Sequence, residues 1–271
     1  MICRLVLGIF KNQWYYLMSD RKYIWTYWDD ANLPSLVRTS IQSWKRCAPN
    51  YTIMLINQNT ISQFIDISTY PKLGNAAISD ILRLTVLSKY GGLWMDATII
   101  MHRPIDQIIT DPDKVFVFKE RNRVYPESWM LYYPKEGDVS LELWRKELHG
   151  ILKIWPQVDC HHCYQKVKLA HKRKTYFMIY QSWYYLYQTN ESFRYVFDHE
   201  WVILDAQGAI YGRLHFLRWK PNNQWVTKFT SGGRRLHRIE QAWRIRETEI
   251  LILVFLLAVC VICICRKNKY T

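Results

Sequence analysis

The spacing of apolar positions changes period several times along this chain, and each change marks a new element. Tyr23 to Trp28 form an unbroken apolar and aromatic run, which reads as a buried strand. A polar loop with Asp29, Asp30, Asn32 and Pro34 follows. Leu36, Val37, Ile41 and Trp44 then recur at helical spacing and predict a helix from Pro34 to about Cys47, with proline at the first position, where its missing N–H costs nothing. Pro49 and Asn50 break that helix, and Tyr51 to Ile56 read as a second strand. Strand, helix and strand in this order make a βαβ unit, and a nucleotide on such a fold sits beyond the carboxyl ends of the strands.

A short helix from Thr60 to Ile65 and a loop lead to the most informative stretch, Ser79 to Thr98. Asn75 is placed to cap a helix that carries Ile78, Ile81, Leu82 and Leu87 at helical spacing. Gly91 and Gly92 stop it, because a helix end often needs the left-handed backbone that glycine adopts without strain. Leu93, Trp94 and Met95 then form a short buried strand ending on Asp96. Burying a carboxylate there is costly unless it is paired or holds a cation. Asp80 and Arg83, three apart on the helix, share a face. The bland alternative is an ordinary amphipathic helix with a surface ion pair.

This spacing, SDILR followed by two glycines, an aromatic and an aspartate, resembles the nucleotide-sugar site of GT-A glycosyltransferases. The resemblance is to capsular polysaccharide synthesis proteins and glycosyltransferase family 32, with a related pattern in the large clostridial glucosylating toxins. It implies that Asp80 and Arg83 bind the donor sugar. It also implies that Asp96, first residue of an Asp-x-Asp (DXD) motif, holds Mn²⁺ or Mg²⁺ on the donor diphosphate. The second motif position is Thr98, a departure that leaves one metal ligand open. The opening segment from Ile24 to Asn57 resembles the same families and places Trp25 on the donor base, with Trp28 as the fallback. A tryptophan that simply packs in the core is the competing reading of Trp25. Asn57, closing the second strand, is a candidate for the base or ribose. Val226 to Thr230 resembles the lysine-containing ending of capsular transferases, which makes Lys228 a candidate for the diphosphate.

Further along, Ile99 to Met101 continue as strand, and Val115 to Phe118 and Trp129 to Tyr132 add two more. His102 and Arg103 either face the phosphates or form a solvated strand end. Glu120 and Glu127 fall in a loop on the acceptor side and are possible acid–base groups. From Asp138 to Tyr187 the period becomes helical.

The composition narrows the class. At 49% hydrophobic and 15% aromatic, the 271 residues are too apolar to be mainly disordered. The net charge of +14 calls for an anionic partner: a nucleoside diphosphate, anionic lipid or nucleic acid. The basic residues are scattered and no nucleic-acid recognition motif is present, so nucleic acid is not expected. Cys160 and Cys163 are half of a zinc or redox motif without a second pair, and read as reduced thiols. Nearby, Lys166, Lys168, Lys172, Arg173 and Lys174 form a basic cluster that faces lipid, acceptor or simply solvent. Gly232 to Arg235 is a weak phosphate signal.

Ile250 to Cys265 are 16 apolar residues between Glu249 and a basic tail, about 24 Å as a helix at 1.5 Å per residue. They read as a single-pass C-terminal transmembrane anchor that leaves the catalytic domain in the cytosol. The expected organisation is an N-terminal extension at 1–21, a catalytic domain at 22–248 and an anchor with a short basic tail at 249–271.

The expected fold is thus an α/β, GT-A-type domain, a mixed sheet flanked by helices, with a helical acceptor-side part. The expected activity is hexosyl transfer from a UDP- or GDP-sugar to a glycan or glycolipid hydroxyl, retaining by resemblance to family 32 and divalent-metal-dependent. An inactive glycan-binding or scaffold protein on the same fold is the alternative that Thr98 leaves open.

Overall fold

A computed structural model describes residues 22–153, 177–206, 209–211 and 225–228. Its main element is a six-stranded sheet in the order β2-β1-β3-β6-β5-β7. The strands are β1 (Lys22–Tyr27), β2 (Tyr51–Ile56), β3 (Gly92–Met95), β5 (Phe116–Lys119), β6 (Glu127–Tyr133) and β7 (Val202–Asp205). The strands β2, β1 and β3 run parallel, β6 is antiparallel to both β3 and β5, and β7 is parallel to β5. A second, three-stranded sheet pairs β4 (Ile99–Met101), β9 (Val226–Lys228) and β8 (Ala209–Tyr211) in the order β4-β9-β8. The mixed sheet flanked by helices that the sequence predicts is present.

Alternation along the strands builds a core on each face of the main sheet, because successive side chains point to opposite faces. Trp25, Trp94, Leu131 and Tyr133 pack on one face with helix α2 (Asn75–Tyr90), α4 (Val139–Lys153), α5 (Met178–Thr189) and α6 (Glu191–His199). Ile24, Leu93, Met95, Met130 and Tyr132 pack on the other face, with Trp44 of α1 (Ser35–Cys47), β4 and the short α3 (Ile105–Ile108). α1 is pinned to β4 by polar groups as well as apolar ones: Trp44 Nε1 donates to the Ile99 carbonyl at 2.7 Å, and the Met101 amide donates to Ser43 Oγ at 2.9 Å.

Gly91 and Gly92 do what the sequence requires of them, with φ of 62° and 94°. A Cβ on Gly91 would meet the Lys135 backbone at 2.9 Å, and one on Gly92 the Tyr23 carbonyl oxygen at 2.8 Å. The turn is therefore both left-handed and closely packed against neighbouring backbone.

Four local expectations change. Asn75 does not cap α2: Gly74 occupies the cap position with no side-chain hydrogen bond, and the Asn75 amide donates to Asp29 Oδ2 instead. The short helix at Thr60 to Ile65 is a single 3₁₀ turn, Ile61–Gln63. Ile99 to Met101 do not extend β3, since a turn closed by the Ile99 amide on the Asp96 carbonyl carries them into the second sheet. Glu127 is not in a loop; it begins β6 and is 2% exposed.

Among the described residues no helix is long and apolar enough to cross a membrane. The run Ile250 to Cys265, the extension at 1–21, Cys160 and Cys163, the basic cluster at 166–174 and Gly232 to Arg235 lie outside the described residues.

Candidate functional site

The site forms where the carboxyl end of β3 meets the flank of α2. Both elements come from one local instruction: a helix, a double-glycine reversal and a short strand. The reversal lays β3 antiparallel to the helix that precedes it, so a residue near the middle of α2 comes level with the end of β3.

Arg83 is the residue so placed. Its Nη1 lies 2.9 Å from Asp80 Oδ1 within α2, and its Nη2 lies 2.7 Å from Asp96 Oδ1 beyond β3. Its guanidinium also lies over the Trp94 ring, 5.1 Å from the centroid, which adds a cation–π contact. Trp94 Nε1 donates to the same Asp96 oxygen at 3.0 Å. The other Asp96 oxygen, Oδ2, accepts a charge-assisted hydrogen bond from Lys228 Nζ. Lys228 comes from β9, which is held beside β4 by the pairing of Ile99 with Lys228 and of Ile100 with Thr227. His102 Nε2 lies 2.7 Å from Thr227 Oγ1, so it anchors the strand next to Lys228.

Burial grades across the site. The Arg83 side chain is 3% exposed and that of Asp80 9%, whereas the Asp96 side chain is 23% exposed and forms the open end. Burial pushes the Asp80 carboxyl up to about 7, against the opposing pull of Arg83. Burial alone would raise Asp96 too, but Lys228 and then Arg83 outweigh it and hold that carboxyl below its ordinary range. Two carboxylates and two cations thus share a compact site, with one acid kept ionised and its neighbour poised near neutrality. Arg83 Nε is buried and has no hydrogen-bond partner among the described residues.

Of the sequence candidates, Asp80, Arg83, Asp96 and Lys228 are brought together. Thr98 is close in sequence but 6% exposed, in the turn that leads to β4. Trp25 is corrected. Its side chain is fully buried, stacks on Tyr90 at 5.3 Å and donates Nε1–H to the Gly91 carbonyl at 2.9 Å, so no ring face is left for a base. Trp28 is half-buried and lies just past the carboxyl end of β1. Asn57 also lies at the carboxyl end of the sheet, but its Oδ1 accepts the Asn59 amide at 2.9 Å and shapes the turn after β2.

Next to Asp96 the structure joins the sequence candidate Glu127 to partners that local pattern does not reveal. The Asp96 amide donates to the Trp129 carbonyl, and Trp129 Nε1 in turn donates to Glu127 Oε2 at 3.0 Å. Arg123 lies 3.4 Å from the other Glu127 oxygen, and the Ser128 hydroxyl bonds to Tyr180 on α5 at 3.1 Å. Tyr180 stays protonated, raised by burial and by the nearby Glu127. Glu120 instead pairs with Arg123 at 2.6 Å. The sequence offered Glu120 and Glu127 only as loop carboxylates, and Tyr180, 53 residues beyond Glu127, carried no signal.

The donor set does not fit a divalent cation. Mg²⁺ and Mn²⁺ sites need carboxylate oxygens facing the ion. Here one Asp96 oxygen serves Arg83 and Trp94 and the other serves Lys228, while Asp80 faces Arg83. The second motif position is a buried hydroxyl, and among the described residues no group of three or more His, Cys, Asp or Glu could hold a metal. A divalent ion at Asp96 Oδ2 would have to expel the Lys228 ammonium, since a +1 and a +2 charge ~4 Å apart repel by about 8 kcal/mol at an effective dielectric of ~20.

Comparison with known proteins places the chain. Residues 9–229 match the family model described as capsular polysaccharide synthesis protein. Glycosyltransferase afumC of Aspergillus fumigatus is 28% identical, over 47% of this chain and 40% of its own length. O-glycosyltransferase braB of Annulohypoxylon truncatum is 27% identical, over 52% and 44% respectively. The chain thus spans less than half the length of these curated relatives. Among solved structures, a glycosyltransferase involved in glycosylation of the major capsid of PBCV-1 is similar over 82% of this chain and 99% of its own, at 10% identity and a TM-score of 0.46. The galactosyltransferase LgtC is similar over 81% and 95%, at 10% identity and a TM-score of 0.41. With the family model covering most of its length, this chain belongs to the capsular polysaccharide synthesis protein family.

Proposed function

We propose that this protein is a glycosyltransferase that moves a hexosyl group from a nucleoside diphosphate sugar to a hydroxyl of a glycan or glycolipid. The observation that carries the reading is the convergence of Asp80, Arg83 and Asp96 at the carboxyl end of the parallel strands, where an α/β sheet binds nucleotides. Its support from relatives is the glycosyltransferase names they bear.

In this reading the donor sugar lies against α2. Asp80 accepts hydrogen bonds from its hydroxyls, and the unpartnered Arg83 Nε donates to one. Trp28 supplies a platform for the base, and Lys228 contacts the diphosphate. The C1–O bond to the diphosphate breaks with its electron pair on the phosphate oxygen, and the acceptor oxygen bonds to C1. The acceptor's proton goes to the departing phosphate, which can take it on the same sugar face if configuration is retained. The cluster of Glu127, Arg123 and Tyr180 lies on the acceptor side. The apolar run Ile250 to Cys265 would tether the domain to a membrane, with the site on the cytosolic side.

The test is donor turnover by the full chain in detergent against a panel of UDP- and GDP-sugars, with Asp80→Asn and Asp96→Ala as controls. Release of UDP or GDP from one sugar donor, lost in both variants, is the expected result, and the anomeric configuration of the product sugar tests retention. A chain that binds glycans but turns over no donor would refute the reading in favour of an inactive binding protein.

A further inference from the structure

We infer that Lys228 is a built-in cation that takes the place of a divalent metal at the diphosphate of the donor, so that the site works without one. The inference rests on the proposed transferase reading and goes beyond it by replacing the expected cofactor with a residue of this chain.

Three observations carry it. The first is that the more exposed of the two site carboxylates, Asp96, has both oxygens engaged by groups of the protein itself: Arg83 and Trp94 on one and Lys228 on the other. The second is that the residue two places on, where a second carboxylate would complete a metal pair, is Thr98, a neutral hydroxyl. A threonine can add a ligand to a metal but cannot neutralise one. The third is that Lys228 is held in place. Its backbone pairs with Ile99 on one side and Tyr211 on the other, the neighbouring Thr227 is fastened to His102, and its own side chain is only 12% exposed. A lysine meant only for a solvated surface needs none of this.

An ammonium carries three N–H donors. With one on Asp96, two remain for oxygens of a diphosphate arriving at the open end of the site. Asp96 then acts as the anchor that aims the ammonium, which is a different task from ligating a metal. As the C1–O bond breaks, charge grows on the phosphate oxygen that leaves. A fixed ammonium beside that oxygen stabilises it at the moment of transfer, without any rearrangement of water.

The decisive measurement is calorimetric binding of UDP and of GDP to the full chain in detergent, with excess EDTA and again with Mn²⁺. The proposal expects one of them to bind with affinity that differs by less than about twofold between the two buffers. It also expects Lys228→Gln to weaken that binding by about tenfold or more, with Lys228→Arg retaining most of it. If Lys228→Gln proves misfolded, the two buffers on the unaltered protein still decide. Mn²⁺ raising the affinity about tenfold or more would overturn the inference and leave the transferase reading standing. Binding of neither nucleotide in either buffer would overturn both.

Discussion

Arg83 Nη2 lies 2.7 Å from Asp96 Oδ1, joining the middle of α2 to the end of β3 across 13 residues of sequence. The same guanidinium holds Asp80, so one buried arginine sets the position of both carboxylates. Replacing it by methionine leaves two acids without their shared partner in a site where the arginine was 3% exposed. Breaking a buried pair in this way costs about 3–5 kcal/mol, and that loss is expected in chemical denaturation of Arg83→Met. Donor turnover should fall below detection. An unchanged denaturation midpoint would show that the guanidinium is not structural.

Gly92 and Gly74 make a matched contrast. An alanine Cβ at Gly92 meets the Tyr23 carbonyl oxygen at 2.8 Å with φ at 94°, whereas at Gly74 nothing lies within 4 Å. Gly92→Ala should destabilise by more than about 1–3 kcal/mol, the range for a strained backbone position, while Gly74→Ala stays within about 0.5 kcal/mol of the parent. Denaturation of the two variants side by side checks this.

The tryptophan inside the first strand and the one just past its end should separate stability from binding. Trp25→Phe removes the N–H that satisfies the Gly91 carbonyl, and is expected to cost about 1–3 kcal/mol of stability with nucleotide affinity unchanged. Trp28→Ala is expected to do the reverse, losing about 1–3 kcal/mol of UDP or GDP affinity if its ring carries the base. Nucleotide titration and thermal melting of both variants decide between them.

His149 gives the fold an acid-sensitive point. It sits between Tyr70 Oη at 2.9 Å and Thr85 Oγ1 at 3.2 Å, and burial, reinforced by Arg145, lowers its pKa to about 4. A depressed histidine favours the neutral form in the folded state. Its contribution is therefore complete above about pH 6.5 and is lost as the pH falls from there toward 4. The loss amounts to roughly 3 kcal/mol, the fall from 6.5 to about 4 taken at about 1.36 kcal/mol per pH unit. His149→Gln should flatten the stability curve over that window, and an equally steep acid limb in the variant would refute the assignment.

How much of this was legible depended on sequence distance. Asp80, Arg83 and Asp96 could be read because a helix, a double glycine and a strand fix their geometry locally, within 17 residues of chain. Lys228 was reached through a family likeness, since nothing local in the chain says that β9 returns to β4. Trp25 and Trp28 show the limit of composition: both are strand indoles, and only the pairing of β1 with β2 and β3 shows that the ring at 25 is enclosed while that at 28 lies past the strand end. The buried carboxylate of Glu127 was equally hidden, because its partners Trp129 and Arg123 meet it only once β6 is set in the sheet.

The link between Lys228 and Asp96 spans 132 residues, and that distance sets an order of events during synthesis. At about 5–20 residues per second, the ribosome needs roughly 7–26 s after making the aspartate before it has made the lysine. Throughout that interval β4 has no β9 beside it and Asp96 has only Arg83 as a counter-charge. The nascent chain can build its main sheet and lay α2 across it, but Lys228, the second cation on Asp96, arrives last. Closure of the site around Asp96 is thus a late acquisition of this polypeptide, and a chain cut short of β9 lacks the cation that pairs with Asp96 Oδ2.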